Sequence, residues 1–396
     1  MKIFYISKYV STPLSTEGDR KYILSKYMNR LTEKVTLIYS RSNGRKHKST
    51  WKLFKNENVD GLDTVMINGI LVKQMGINFR RMFSWIQFGI NLFLYFLFLP
   101  KSKRPDVVIA SSFSLFTFYT VSILKKIYKF KMIVEVRDIS PQTELDFGRI
   151  SKKSIVYKVF KYVELFGYKH ADKTFATMPK FDEYLKTQGF NDKPFVCIPQ
   201  GFDMDNLQPL IDEPIENNSF VVTYAGTIGE VNLVEELCIC AELLKNYDIE
   251  FHVYGEGPLK EILEKKYEHL DKLKFLGFVP KNEIANRLMK SDLLINMWAD
   301  KKVYDYGVSP NKWMDYMHAA KPILVTYNGY KSIINEANCG WFIPANKPEL
   351  MADKILAISK MDKTYLSKIG LNGREYLIKH HDYKVLAEKL YNYINE

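Results

Sequence analysis

The run Ser309-Pro310-Asn311-Lys312-Trp313-Met314-Asp315 has the residue types of a helix start that holds an anion. Ser309 is a preferred N-cap and Pro310 suits the first helical position. The spacing therefore predicts a helix whose leading amides, those of Asn311 and Lys312, have no intrahelical acceptor. Such amides and the helix dipole attract a diphosphate, and the side chain of Lys312 adds a cation. Asp315 lies about one turn further on, placed to accept hydrogen bonds from ribose hydroxyls. An ordinary capped helix with solvated Lys and Asp ends would use the same residues. Glycines recur near the ends of apolar runs: Gly226, followed by Thr227; Gly255 and Gly257; and Gly277, followed by Phe278 and Val279. Each lets backbone approach a ligand, and each also suits a plain turn. A further carboxylate, Asp138, closes an apolar run, where it either orients or deprotonates a ligand hydroxyl or caps a turn before Ile139-Ser140-Pro141.

The elements that position these residues alternate. Strand-like runs at 34–39, 106–110, 132–136, 174–177 and 195–198 are separated by helical periodicity, as at 20–31 and 155–167. After the polar stretch 206–219 a second series begins at Phe220, with strands at 249–254, 273–276, 293–296 and 322–326. This is the α/β pattern of two doubly wound, Rossmann-like parallel sheets, in which ligands bind beyond the carboxyl ends of the strands. A chain of 396 residues suits two such domains. The expected division is 1–203 for the first domain and 204–375 for the second, facing each other across a cleft.

These motifs together resemble family 4 of the retaining glycosyltransferases, which have the GT-B fold, and in particular the branch that builds bacterial surface polysaccharide with N-acetylated amino sugars such as N-acetylfucosamine. Ser309-Pro310-Asn311-Lys312 running into Asp315-Tyr316-Met317-His318-Ala319-Ala320-Lys321-Pro322 resembles that family's donor signature. Val253-Tyr254-Gly255-Glu256-Gly257-Pro258, Leu276-Gly277-Phe278-Val279-Pro280, Ile198-Pro199-Gln200-Gly201-Phe202-Asp203 and Cys339-Gly340-Trp341-Phe342-Ile343-Pro344 resemble its other landmarks in order. In the first half, Gly18-Asp19-Arg20 resembles the family's glycine loop and basic residue, and Glu135-Val136-Arg137-Asp138 its active-site strand end.

The resemblance implies that a UDP-sugar donor is bound by Gly18, Gly226, Thr227, Gly255, Gly257, Phe278, Val279, Ser309, Pro310, Asn311, Lys312 and Asp315. Arg20 and Arg137 would serve the acceptor, and residues 376–396 would pack back on the first domain. The implied product is O-antigen or capsule. Two positions depart from the family: the first of its paired glutamates falls on Gly307 and the second is Asp315. The Arg and Lys that follow the family's first donor glycine are also missing here, where Thr227 and 228–232 stand. Diphosphate neutralisation is left largely to Lys312 and backbone amides, with no metal cofactor expected.

Charge and apolar patterning bear on the acceptor. Residues 1–200 hold 34 Lys and Arg against 16 Asp and Glu, whereas the remainder holds 23 against 29. A one-sided basic field attracts phosphates, and it also serves as a solubilising surface. Within that half, 80–99 is an aromatic, apolar stretch with basic flanks, too short and too interrupted by Gln87 and Asn91 to span a bilayer. It reads equally as an interfacial helix, with Trp85, Phe93 and Phe96 contacting membrane, or as a buried crossover helix. The expected setting is cytoplasmic, peripheral to the inner face of the cytoplasmic membrane, with a polyprenyl-diphosphate-linked or glycan acceptor. Four scattered cysteines and seven scattered histidines show no metal-ligand spacing, and aromatics do not interleave with basic runs as in nucleic-acid binders. A nucleotide-sugar epimerase on the same fold and a nonenzymatic basic binding protein are the competing readings.

Overall fold

A computed structural model describes residues 1–13, 19–41, 52–70, 79–112, 114–210 and 219–396. The chain divides into two compact units, Met1–Pro199 joined by Tyr383–Glu396, and Gln200–Asp382. These boundaries fall a few residues from 203/204 and 375/376.

The first unit carries an eight-stranded sheet of order β3-β4-β2-β1-β5-β6-β7-β8. Its strands are β1 (Lys2–Ile6), β2 (Lys34–Ser40), β3 (Phe54–Val59), β4 (Leu62–Ile67), β5 (Val107–Ser111), β6 (Lys131–Val136), β7 (Lys173–Ala176) and β8 (Phe195–Cys197). All pairs are parallel except β3 with β4, an antiparallel hairpin turned at Asp60-Gly61, where both residues have positive φ. Residues 107–111 are buried throughout, the burial expected of a parallel strand covered on both faces. One face is covered by the helices Arg20–Met28 and Tyr383–Asn395, which bring Tyr22, Leu24 and Met28 together with Leu386, Leu390 and Ile394 against Tyr5, Leu37 and Ile109. The first of these helices starts where Asp19 accepts from the amides of Lys21 at 3.1 Å and Tyr22 at 3.3 Å.

The helices Phe79–Leu97, Leu115–Tyr128 and Ile155–His170 also belong to this unit, and aromatic contacts link them: Trp85 with Phe160, Phe116 with Phe160, and Phe96 with Tyr128. Helix Phe79–Leu97 is apolar on two sides. Trp85, Phe88, Leu92 and Phe96, spaced at i, i+3, i+7 and i+11, are buried, while Phe83, Ile86, Ile90 and Leu97 are exposed. The buried side bears out the crossover reading, and the interfacial reading is left to the exposed side alone. The membrane assignment of Trp85 and Phe96 is corrected, because both are core residues: Phe96 packs on Phe4 and Phe130. Phe93 is half-buried.

The second unit is a six-stranded, wholly parallel sheet of order β11-β10-β9-β12-β13-β14. Its strands are β9 (Phe220–Ala225), β10 (Ile249–Tyr254), β11 (Leu273–Gly277), β12 (Leu293–Met297), β13 (Ile323–Thr326) and β14 (Gly340–Ile343). Numbered within the unit, this is the doubly wound order 3-2-1-4-5-6. The strand order reverses between β9 and β12, so the ligand crevice is expected beyond the carboxyl ends of those two strands. Cys238 and Cys240 are buried packing residues of the core around Val222, Phe251 and Ile295.

Candidate functional site

The carboxyl end of β9 is where the second unit's glycines meet. Gly226 donates to the carbonyl of Tyr254 at 3.0 Å and Gly255 to that of Gly277 at 2.8 Å, so the ends of β9, β10 and β11 are tied in register. Gly255 has φ +136, and a Cβ there would lie 1.9 Å from the Gly226 carbonyl oxygen; one on Gly257 would lie 2.2 Å from that of Ile228. Side chains are excluded, and the backbone of the loop is left bare.

Lys312 fills the space beside this loop. Its Nζ donates to the Tyr224 hydroxyl at 3.2 Å and to Asn232 Oδ1 at 3.0 Å, and it lies 4.6 Å from the Tyr224 ring centroid. Tyr224 and Asn232 are fixed in turn, both donating to the carbonyl of Thr227, at 2.8 and 3.0 Å. Part of Lys312 reaches the surface, yet protein packed around it pushes its ammonium down to about 7. No ion pair with a carboxylate is recorded for it among the described residues. A cation held by two neutral oxygens in a desolvated setting is poised to gain an anion.

The helix that carries Lys312 spans Asn311–His318, with Pro310 at the N-cap. This corrects the capping expectation: Ser309 does not cap the helix. Its Oγ instead accepts from the amide of Gln200 at 2.8 Å. The amides of Asn311 and Lys312 still lead the helix, where geometry denies them intrahelical acceptors. Tyr316 locks this helix to the switch point, accepting from the Ala225 amide at 2.9 Å and donating to the carbonyl of Ile295 at 3.1 Å. Asp315, half-buried, lies on the turn after Lys312. Phe278 is exposed and Val279 partly so, beyond the end of β11. Tyr224 and Asn232 were missed as partners of Lys312. The position of Tyr224 at the inward end of a buried strand was the only available signal for it.

In the first unit, Gly18 lies outside the described residues. Arg20, expected at the acceptor, is buried and forms an ion pair with Glu135. It also donates to the carbonyl of Ile198 at 2.6 Å, and Tyr5 donates to the other Glu135 oxygen at 2.7 Å. Burial opposes the charge of Glu135, but Arg20, Lys21 and Arg137 outweigh it and hold the carboxyl below the usual range. Arg20 thus serves the fold: its guanidinium is buried and committed to a carboxylate and to the backbone carbonyls of Ile198 and Pro199.

Beyond β6 stands a group open to chemistry. Arg137 is partly exposed, with a buried Nε that has no partner among the described residues, and Asp138 is exposed. Packed protein raises the Asp138 carboxyl, and Arg137 and Lys21 act against that rise. Lys21 is buried and donates to the carbonyl of Tyr9 at 2.8 Å; burial and then Arg137 push it down to about 8. Lys8, at the end of β1, donates to Ser84 at 2.8 Å and is pushed down to about 7 by burial and Arg81. Neither lysine was singled out from sequence, because each sits in an ordinary-looking polar loop or first turn.

Comparison with known proteins bears directly on the second unit. Residues 219–360, which hold the whole glycine loop, Lys312 and the helix Asn311–His318, match the model of the family described as Glycosyl transferases group 1. The second unit carries a group 1 glycosyltransferase domain, and the chain is a glycosyltransferase. It is similar to a probable glycosyltransferase, WbjE, of Pseudomonas aeruginosa, at 25% identity over 76% of this chain and 78% of that one. It is also similar to WcaL of Escherichia coli strain K12, a putative colanic acid biosynthesis glycosyltransferase, at 24% identity over 48% of each. Among solved structures, this transferase resembles sucrose-phosphate synthase of Thermosynechococcus elongatus, with a TM-score of 0.76 and 14% identity over 100% of this chain and 98% of that one. It resembles HepE of Anabaena, solved with UDP, with a TM-score of 0.68 and 13% identity over the full length of both. The transferase therefore has the GT-B fold of two parallel-sheet α/β domains.

Proposed function

We propose that the transferase takes a sugar from a UDP-sugar donor and passes it, with retention of anomeric configuration, to a lipid-linked or glycan acceptor in surface-polysaccharide synthesis. The observation that carries this reading is the Lys312 ammonium, held without a carboxylate beside Gly226 at the switch point of the second sheet and on the first turn of a helix. As the bond from sugar to diphosphate breaks, negative charge grows on the leaving diphosphate. Lys312 and the amides of Asn311 and Lys312 neutralise it, and Asp315 holds the ribose. Each tenfold in rate requires about 1.4 kcal/mol of such stabilisation, and fixed dipoles supply it without reorganising. This arrangement gives no role to a divalent cation, and transfer is expected to persist in EDTA.

The acceptor hydroxyl is oriented by Asp138, with Arg137 providing positive charge for an acceptor phosphate. WbjE is a probable glycosyltransferase, WcaL a putative glycosyltransferase of colanic acid biosynthesis, and HepE was solved with UDP; these support the donor and product classes. The donor sugar proposed is an N-acetylated amino sugar, on the resemblance of the Ser309–Lys312 motif. The protein acts at the inner face of the cytoplasmic membrane as a peripheral enzyme. Among the described residues no helix is long and apolar enough to cross a membrane.

Purified protein incubated with membranes and a panel of radiolabelled UDP-sugars tests the reading. Label in the lipid or polymer fraction is expected from one donor. Label that stays in a free nucleotide-sugar and appears as an epimer, with or without membranes, would replace transferase by epimerase.

A further inference from the structure

The first sheet has a switch point of its own. Its strand order reverses between β1 and β5, so the helix Leu115–Tyr128, which follows β5, starts beside the crevice of that unit. Ser114 is the N-cap, yet its side chain accepts nothing from the helix amides that such a cap ordinarily takes. Its Oγ is buried and has no hydrogen-bond partner. The same holds for Oγ1 of Thr117, the third residue of the helix, whose Cβ tilts back toward the helix start.

Arg137 stands at the same place. Its amide donates at 2.9 Å to Oγ of Ser112, two residues before the cap, and the Ser112 amide donates at 3.0 Å to the carbonyl of Glu135, which joins the ends of β5 and β6. The nearby carboxylate, Glu135, is taken by Arg20 and Tyr5. Nε of Arg137 is buried without a partner, while part of the residue reaches the surface. A lone buried hydroxyl of this kind is satisfied by a water. Two hydroxyls and a guanidinium nitrogen, gathered around the leading amides of one helix, are together the complement of an oxyanion.

We propose that a phosphate group of the acceptor seats at the start of helix Leu115–Tyr128, held by Ser114, Thr117 and Arg137 and by the amides of Leu115 and Phe116. The inference deepens the acceptor side of the function proposed above, on which it rests, and does not use the donor reading. It narrows the acceptor class: the molecule that receives the sugar carries a phosphate or diphosphate, and a neutral glycan is not an acceptor. A prenyl diphosphate and a sugar phosphate share this chemistry.

The test is calorimetric titration of the full-length protein saturated with UDP, so that the donor site is filled. The probes are geranyl diphosphate, glucose 1-phosphate and, as a phosphate-free control, geraniol. At least one of the two phosphates is expected to bind, and the tighter of them tells the lipid source from the soluble one. Arg137→Gln, and Ser114→Ala combined with Thr117→Val, are each expected to weaken that binding about tenfold or more, with UDP affinity unchanged. Hydroxyls that lack partners in the ligand-free protein cost the fold instead of supporting it. The Ser114→Ala, Thr117→Val protein is therefore expected to unfold in urea at the wild-type midpoint or above it. A lower midpoint would assign the hydroxyls to packing and overturn the proposal. So would equal affinity of wild type and variants, failure of both phosphates to bind, or geraniol binding as tightly as its diphosphate. UDP affinity of the wild type, measured first, reports on the transferase reading separately.

Discussion

The ammonium of Lys312 lies 3.2 Å from the phenol oxygen of Tyr224, and the same nitrogen would lie 3.0 Å from a Cβ on Gly226. The nearest strand end, its glycine and the cation of the donor helix are thus one packed unit. Because burial lowers this ammonium to about 7, its charge is incomplete just above neutrality. An anionic ligand favours the charged form, so binding draws in a proton and weakens as pH rises. UDP affinity is expected to fall by up to tenfold per pH unit between pH 7 and 8.5. Lys312→Ala is expected to bind UDP at least about tenfold more weakly at pH 7, about 1.4 kcal/mol, with that pH dependence gone. Calorimetric titration of both proteins across the range checks this; parallel pH profiles would remove Lys312 from the site.

The glycine contact below it is a matter of space. Gly255→Ala drives a methyl into the Gly226 carbonyl, backbone against backbone, at a φ that L-residues rarely adopt. A loss of about 3 kcal/mol or more is expected in urea unfolding. Gly61→Ala, also at positive φ but with nothing within 4 Å, isolates the conformational term and is expected to cost only about 1 kcal/mol. Equal losses would show that crowding at Gly255 is relieved.

His318 gives the second unit an acid limit. Its Nε2 accepts from the Gln208 amide at 2.9 Å, and burial followed by Arg374 lowers it to about 4 from its ordinary 6.5. Between those values the unfolded chain binds a proton that the folded one refuses. Stability therefore falls as pH falls through that window, by at most about 3 kcal/mol. Tryptophan fluorescence, which reports Trp298, Trp313 and Trp341 in this unit, follows urea unfolding at pH 7 and pH 5. His318→Gln, which keeps an acceptor for Gln208, is expected to reduce the difference.

The two sides of helix Phe79–Leu97 separate packing from surface. Phe96→Ser, at a fully buried position, is expected to cost about 3–5 kcal/mol, whereas Phe83→Ser with Ile90→Ser, at exposed positions, is expected to leave the urea midpoint nearly unchanged. Reduced vesicle binding by the folded double variant is expected if the exposed side is interfacial; unchanged binding would remove this helix from the membrane assignment.

Much of the architecture was written in the pattern of residues, and the exceptions have physical causes. Strands such as β5 and β13 announce themselves because parallel strands buried on both faces read as nearly unbroken apolar runs. The hairpin of β3 and β4 was passed over, although Asp60-Gly61 is a strong two-residue turn signal, because its outer strand carries Lys55, Asn56 and Glu57 and lacks an apolar run. At the donor site, Lys312 and the glycines were legible from type and spacing. Their partners were not, since Tyr224 and Asn232 reach Lys312 across some eighty residues of sequence. The opposite error befell Arg20. A basic residue after a glycine loop reads as a ligand contact, and only the three-dimensional pairing with Glu135, more than a hundred residues away, reveals a structural role.

The core of the first unit includes Tyr383, Leu386, Leu390 and Ile394, contributed by the last helix. A ribosome makes that helix only after every residue of the second unit. During synthesis the second sheet has all its strands while the first, begun earlier, still shows the apolar face of helix Arg20–Met28 to solvent. The core of the first half is therefore closed last, and the emergence of helix Tyr383–Asn395 is the event that seals it.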